Sequence, residues 1–502
     1  MYMNLNLEDF NHTRGVERES LRVTNTGKIS THNHPKQFGS KLTHPNITVD
    51  FSESLIEFIT QPSLLHEKIF IELMKISSFC AKNLQKNEYL LCSSMPLVVQ
   101  EGRIKIAEFG TSNLGKMKTL YRKGLAQRYG KTMQIISGIH YNFSYDTKLI
   151  KLLEKEKGYD SDQLYFSAIN HYFDCMWLIP YLFGSSPICT KNFIKNKPDY
   201  LCKLDENFYV GPHATSLRMS SIGYQSPAQE NLYISHADVK QYAQDLINAT
   251  MRSFNLFEKI GLYKKQDNSR HQLNTNILQI ENEYYSSIRP KQIVKRGERS
   301  ADALMDRGVA YLEVRLLDVN PFCPLGIDKK TSYFIEAMLI SCLMRPLKSY
   351  SLNEVKINRA NLMKVVEQGR KPLLELHTQN NKKTLLKSLG YRELEYIAKI
   401  AEKISKNHYK SVIEQFKKLD DTDKTLSGRI ITESSKIGYK NLVLELSKKH
   451  TKTLKKQNLE LKDVENFQKI AEKSLIEQKK IENNNKQSLG KYINEYYNTC
   501  NK

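Results

Sequence analysis

The pattern that most restricts this chain is an alternation that sets acidic side chains among apolar ones along strand-like segments. In Gly15-Val-Glu-Arg-Glu-Ser-Leu-Arg-Val23 an extended backbone turns Glu17, Glu19, Leu21 and Val23 to one face. The two carboxylates then stand roughly 7 Å apart, too far to share a proton and well spaced to flank divalent cations. Residues 47–60 repeat the theme, with Glu57 inside Leu-Ile-Glu-Phe-Ile and Asp50 at the turn-like Asp-Phe-Ser-Glu-Ser before it. A carboxylate with such neighbours must be paired, protonated or metal-bound, because burying it bare is costly. Residues 133–144 read as a strand with His140 and Asn142 on one face, Gln134 and Ile136 earlier on the same strand, and an irregularity at Gly138. In residues 309–322, Tyr311, Glu313 and Arg315 share a face opposite Leu312, Val314 and Leu316. Residues 274–285 alternate too, with Ile277, Gln279, Glu281, Glu283 and Tyr285 on one side, leading into Ile288-Arg-Pro-Lys291.

Such segments, without regularly spaced βαβ units, predict an α+β fold. Its centre is a largely antiparallel sheet with a polar concave face and helices packed behind. Helical patterns cover 63–86 and the stretch after the loop Phe109-Gly-Thr-Ser-Asn-Leu-Gly115, which carries Tyr121, Arg122 and Leu125 and ends at Gly130. The apolar run 163–184 reads as one core helix ending near Pro180, and His213–Tyr224 carries Arg218 and Tyr224. After about residue 345 the chain becomes Lys-rich, with amphipathic helices expected at 352–368, 390–418, 434–450 and 460–482. The expected organisation is a catalytic region, 1–345, and a helical C-terminal region, 346–502, packed on the same unit.

The 502 residues are enough for a large core or two to three domains. The net charge is +22, and residues 346–502 alone carry 33 Lys/Arg against 19 Asp/Glu. A basic excess can signal nucleic acid, but the richness in Lys, Asn and Ile points to biased coding composition instead. We therefore expect no nucleic-acid partner. The longest apolar stretch, around 175–183, is too short to span a bilayer and contains Pro180. No basic-then-apolar leader opens the chain. Eight scattered cysteines without a CxxC pair read as reduced thiols of a cytoplasmic protein.

Gathered on one face, Glu17, Glu19, Asp50, Glu57, Glu281, Glu283 and Glu313 make seven carboxylates beside one imidazole, His140. Arg122, Arg218 and Arg315 are interleaved. Two carboxylates about 4 Å apart repel by roughly 4 kcal/mol at an effective dielectric near 20, so this set calls for cations. Oxygen ligands with a single imidazole suit Mg²⁺ or Mn²⁺. Mg²⁺ completes its shell with water and phosphate, which points to a nucleoside triphosphate and to arginines that stabilise a transferring phosphoryl group. The sequence has no P-loop, no kinase motif pair and no GxGxxG.

Eight collinear blocks close the sequence reading: GVERESLRV, LTHPNITVDFSESLIEFIT, EFGTSNLGKMKTLYRKGLAQRYG, MQIISGIHYNFS, WLIPYLFGSSP, ATSLRMSSIGY, LQIENEYYSSIRPK and YLEVRLLDVNPF. Together they closely resemble the γ-proteobacterial glutamate–cysteine ligase family over residues 13–330, and more weakly beyond. The resemblance implies a glutamine-synthetase-like sheet forming a polar funnel. It implies ATP- and Mg²⁺-dependent joining of L-glutamate to L-cysteine through a γ-glutamyl phosphate, the first step of glutathione synthesis. It also implies action as a monomer and feedback inhibition by glutathione. Carried over by position, Glu17, Glu19, Asp50, Glu57, His140 and Glu313 would hold metal. Arg122 and Arg315 would hold the glutamate carboxylate and the phosphoryl group. Phe51, Tyr121, Leu125, Gln134, Arg218, Tyr224 and Tyr285 would form the cysteine side. A related carboxylate–amine ligase with another acceptor, and a nucleic-acid-binding protein driven by the basic C-terminal region, remain open readings.

Overall fold

In the computed structural model, residues 5–223, 226–349, 351–380 and 382–498 are described. The centre is one antiparallel sheet. Its strands are β1 (Thr13–Thr24), β2 (Ile47–Val49), β3 (Leu55–Ile59), β4 (Glu88–Leu90) and β5 (Gly138–Ser144). A smaller sheet follows, of β6 (Ile188–Thr190), β7 (Cys202–Lys203) and β8 (Phe208–Val210). The main sheet resumes with β9 (Ile288–Lys291) and β10 (Tyr311–Asp318). Its order is β2-β3-β1-β5-β10-β9, with β4 paired to β1. The fold is α+β, as expected.

Alternation decides what each face of the central strands meets. Val16, Ile56, Phe58, Tyr141, Phe143, Leu312 and Val314 point into the main hydrophobic core. Helices His66–Lys82, Ser161–Cys175 and Lys329–Leu343 supply the other side of that core through Ile69, Leu73, Ile169, Tyr172, Phe334 and Met338. Residues far along the chain join it too: Leu394, Ile397, Val412, Leu454 and Phe467 belong to the same cluster. The opposite, polar face of the strands carries the acids.

Several local expectations are corrected. The run 163–184 is two helices, Ser161–Cys175 and Leu178–Phe183, and Pro180 sits in the first turn of the second, where its missing N–H breaks no helical bond. Gln134 and Ile136 do not lie on a strand: Met133–Ile135 is a 3₁₀ turn and Ile136 follows it, extended, ahead of β5. Residues 274–280 are not a strand, and Glu281–Glu283 is a 3₁₀ turn. There the side chains of Asn274, Gln279 and Glu283 bond the backbone that a neighbouring strand would otherwise satisfy. The helix expected at 390–418 splits at Ser405, which caps Lys406–Asp420, and the one at 434–450 gives way to Leu426–Ile437 and Tyr439–Lys456 around Gly438, whose φ is +81°. Leu352–Gln368 forms as expected, and a further helix, Leu489–Asn498, packs on Asn113–Tyr129.

Candidate active site

Strand register builds the site. In the β1–β3 ladder Glu19 lies directly opposite Glu57, and in the β1–β5 ladder Glu17 lies directly opposite His140. Cross-strand partners put their side chains on the same face about 5 Å apart, so these four groups form a patch. Glu313 joins it from β10, opposite Asn142 of β5 and Arg289 of β9. A β-bulge completes the arrangement. Between Val314↔Tyr141 and Leu317↔Ile139 the register shifts, leaving Arg315 and Leu316 beside His140 alone. Arg315 Nη1 donates to Glu313 Oε1 at 2.8 Å and lies 3.5 Å from His140 Nδ1.

Two glycines make close approaches, one to a guanidinium and one to a backbone carbonyl. A Cβ on Gly138 would lie 2.2 Å from Arg218 Nη2. That guanidinium packs over the start of β5 and donates to the Arg315 carbonyl, supporting the bulge. A Cβ on Gly115 would lie 2.4 Å from the Phe109 carbonyl, so the loop folds tightly over the first turn of Asn113–Tyr129. This helix is capped by Ser112 and presents Tyr121, Arg122 and Leu125 to the site. Arg122 stacks on Phe109 at 4.2 Å and donates to the carbonyls of Asp50 and Lys118.

Fourteen of the fifteen residues selected from the sequence line one cavity of about 620 Å³: Glu17, Glu19, Asp50, Phe51, Glu57, Tyr121, Arg122, Leu125, Gln134, His140, Arg218, Tyr285, Glu313 and Arg315. The fifteenth, Tyr224, lies outside the described residues. Glu281 and Glu283 are corrected. Glu281 accepts from Arg299 Nε at 2.6 Å, with Nη2 at the same distance, and Glu283 is bound by Arg128, Tyr129 and the Gln279 N–H. Both serve as internal counter-ions, although Glu283 borders the cavity.

The electrostatics are uneven. Burial, then the charge of Asp50, pushes the Glu19 carboxyl up to about 8. Burial and the neighbouring Glu17 and Asp50 raise Glu57 well above the carboxylate range. Burial works against ionisation of Glu17 as well, but hydrogen bonds from His140 and Asn142 hold it below its ordinary value. Glu313 is held far down, against burial, by Lys291, Arg315 and Arg289. Burial and Arg315 lower His140, favouring the neutral ring that can ligate a metal. Ligand atoms of Glu17, Glu57 and His140 lie within 4.8 Å of one another. Glu313 Oε2 is buried with no hydrogen bond, 3.8 Å from both Arg289 and Lys291. Oxygen-rich donors, mutual repulsion and an unbonded buried oxygen fit a hard divalent cation.

Several cavity residues lie outside the set expected from the sequence. Arg289 and Lys291 alternate in Ile288-Arg-Pro-Lys291, a visible signal. Arg359, together with Asn358 and Met363, comes from the Leu352–Gln368 helix, and nothing in the sequence places that helix over the sheet. The cavity thus draws on residues beyond 345.

The profile of the glutamate–cysteine ligase family matches residues 6–365. A glutamate–cysteine ligase of Pseudomonas fluorescens is 40% identical over 496 residues, covering 96% of this chain and 92% of the relative. One from Saccharophagus degradans is 38% identical over 500 residues. The crystal structure of glutamate–cysteine ligase from Francisella tularensis in complex with AMP superposes with a TM-score of 0.97 at 47% identity, covering 99% of both chains. A bifunctional glutathione synthetase from Pasteurella multocida gives 0.73 at 26% identity, over 92% of this chain and 56% of that one. The Lys-rich C-terminal third, expected to match poorly, is included in these alignments. A match spanning both the polar sheet and the helices that close over it places this chain in the glutamate–cysteine ligase family.

Proposed function

We propose that this protein joins the γ-carboxylate of L-glutamate to the α-amine of L-cysteine, using ATP and releasing ADP and phosphate, as the first step of glutathione synthesis. The observation that carries the reading is a single cavity that brings acids and cations together. Glu17, Glu19, Asp50, Glu57, His140 and Glu313 line it beside Arg122, Arg289, Lys291 and Arg315. The acids would hold Mg²⁺, with Mn²⁺ as a substitute. Bound there, the metal neutralises the carboxylates and the nucleotide phosphates.

The chain's own groups then divide the work. Arg315, aimed by the bulge and tethered by Glu313, and Arg122, fixed on Phe109, bind the glutamate carboxylate and the transferring phosphoryl group. A γ-carboxylate oxygen attacks the terminal phosphorus and ADP leaves. The cysteine nitrogen then attacks the acyl carbon, and phosphate departs. The mixed anhydride supplies the leaving group, so no enzyme nucleophile is needed.

Phe51, Tyr121, Leu125, Gln134 and Tyr285 make a less charged corner, with Arg218 beside it, suited to the acceptor. Aromatic faces favour a polarizable sulfur by about 0.3–1.5 kcal/mol per contact. A serine hydroxyl there would lose partners at roughly 1–3 kcal/mol. We place the protein in the cytoplasm, acting as a monomer. The seven cysteines among the described residues form no disulfide, which supports a reducing compartment. Glutathione contains the product and would compete for the same cavity.

ATP-dependent phosphate release across a panel of amino-acid pairs tests the reading. Glutamate with cysteine should be fastest, 2-aminobutyrate usable and serine poor. Faster release with an unrelated amine would instead indicate a ligase of different acceptor.

A further inference from the structure

A second group of ligand-type side chains converges on three helices that contribute nothing to the cavity. His66 opens His66–Lys82, Glu336 lies within Lys329–Leu343 and His408 sits in the first turn of Lys406–Asp420. One ligand atom from each lies within 4.8 Å of the others. His66 Nε2 is 2.9 Å from Glu336 Oε2, and His408 Nε2 is 3.8 Å from Oε1. All three residues are at least nine-tenths buried, at 9, 1 and 5% exposure. Neither Nε2 makes an aligned hydrogen bond, and 3.8 Å is too long for one. The buried His408 Nε2 therefore faces the carboxylate beyond hydrogen-bond distance, while His66 Nε2 stands at ion-pair distance from it without hydrogen-bond alignment, and a cation bound by all three would satisfy both nitrogens.

The rings are held in place. Tyr333, one turn before Glu336, packs on His66 with centroids 4.1 Å apart and ring planes tilted by 36°, and meets His408 at 4.9 Å, inclined by 72°. Ser405 Oγ lies 2.7 Å from His408 Nδ1. With the Nδ1 proton donated to that oxygen, Nε2 turns its lone pair toward Glu336, the second-sphere arrangement that prepares a histidine for metal. Arg14 also grips Glu336, Nη2 to Oε1 at 2.5 Å and Nε to Oε2 at 3.2 Å. A carboxylate has about four lone-pair positions, so the guanidinium does not exhaust it.

We propose that His66, Glu336 and His408 bind a zinc-class divalent cation that staples these three helices together behind the sheet. Two imidazole nitrogens and one carboxylate oxygen are a zinc-type donor set, with a fourth position for water. The acidic cavity, with one imidazole among carboxylates, favours harder ions. The two sites therefore select different metals, and the staple acts on stability rather than on the ligation.

Metal-free wild-type protein held in excess Mg²⁺, to fill the cavity, is titrated with Co²⁺ and separately with Zn²⁺. One equivalent of Co²⁺ should bind with the visible absorption of a four- or five-coordinate ion, and Zn²⁺ should raise the melting temperature. Both effects should weaken at least tenfold in concentration dependence in His66→Gln and in His408→Gln, and persist in Glu57→Gln. Absence of both effects in wild type, or their survival in the double histidine variant, overturns the proposal and leaves an Arg14–Glu336 ion pair beside two histidines. Where the variants fail to fold, a zinc-edge anomalous map of wild-type crystals decides: a peak among the three side chains supports the site, and a flat map removes it.

Discussion

Glu17 and Glu19 are separated by one residue, and so are Glu281 and Glu283. The second pair is matched inside the protein: Arg299 and Tyr496 serve Glu281, and Arg128 and Tyr129 serve Glu283. The first pair has no such service. Glu17 leans on His140 and Asn142, while Glu19 takes the Gly138 N–H and faces Glu57 across the ladder. Acids with dedicated arginines are part of the scaffold. Acids left facing one another are waiting for a ligand, and the raised Glu19 and Glu57 are the electrostatic record of that.

The contrast breaks most readily at the unmatched acids. Glu17→Gln or Glu57→Gln should lower kcat by about a hundred- to a thousandfold, on the scale of lost transition-state electrostatics. Without metal, Glu57→Gln should leave the melting temperature near wild type, because that carboxyl is already protonated, whereas Glu17→Gln should lower it, because the ionised carboxylate bonded to His140 and Asn142 is lost. ADP formation and thermal melts check this, and near-normal turnover in both variants would take the cluster out of the reaction.

The matched acids should behave in the opposite way. Glu281→Gln leaves the Arg299 charge buried without its partner, at about 3–5 kcal/mol. Urea unfolding should show that loss, with turnover per folded molecule within about threefold of wild type. An unshifted midpoint would end the distinction between the pairs.

A third measurement sharpens it through pH. With Glu19 near 8, the metal-free native state keeps a proton that the unfolded chain gives up near 4.5. The native state then binds more protons than the unfolded one, so stability from this group is greatest below about 4.5 and falls as pH rises toward 8. Mg²⁺ bound as proposed would displace a proton from Glu19 and from Glu57, so its apparent affinity should climb by about ten- to a hundredfold per pH unit between 6 and 8. Mg²⁺-induced melting shifts at fixed concentration read this directly, and a flat profile would mean Glu19 is ionised without metal. The smallest effect is expected in the aromatic corner. Tyr285→Ala should raise the cysteine KM by about two- to tenfold, the size of one sulfur–aromatic contact. The glutamate KM should stay unchanged; movement of that constant instead would shift the acceptor pocket elsewhere.

Much of this was legible in the chain because strands write their faces with a period of two. Glu17, Glu19, His140, Glu313 and Arg315 could be assigned to a common surface from alternation alone. The same rule misled at 274–285, where alternation occurs without a partner strand and the polar side chains fold back on their own backbone. Register stayed hidden: no local pattern says that Glu57 faces Glu19 or that a bulge lifts Arg315 toward His140. Nor does amphipathicity tell which sheet a helix will cover, which is why Arg359 went unnoticed.

The strand order also sets a timetable for biosynthesis. β5 must pair with β10, some 170 residues later in sequence, before Glu313 and Arg315 can reach His140. At about 5–20 residues per second, translation needs on the order of 15–60 seconds to reach that strand. Until then β5 has an open edge and the acids of β1 and β3 face one another without Arg289, Lys291 and Arg315. The last helix, Leu489–Asn498, arrives later still and lays Tyr496 and Tyr497 against Glu281 and Gln279. A chain made only as far as residue 488 would therefore hold the Glu281–Arg299 pair without the tyrosines that cover it.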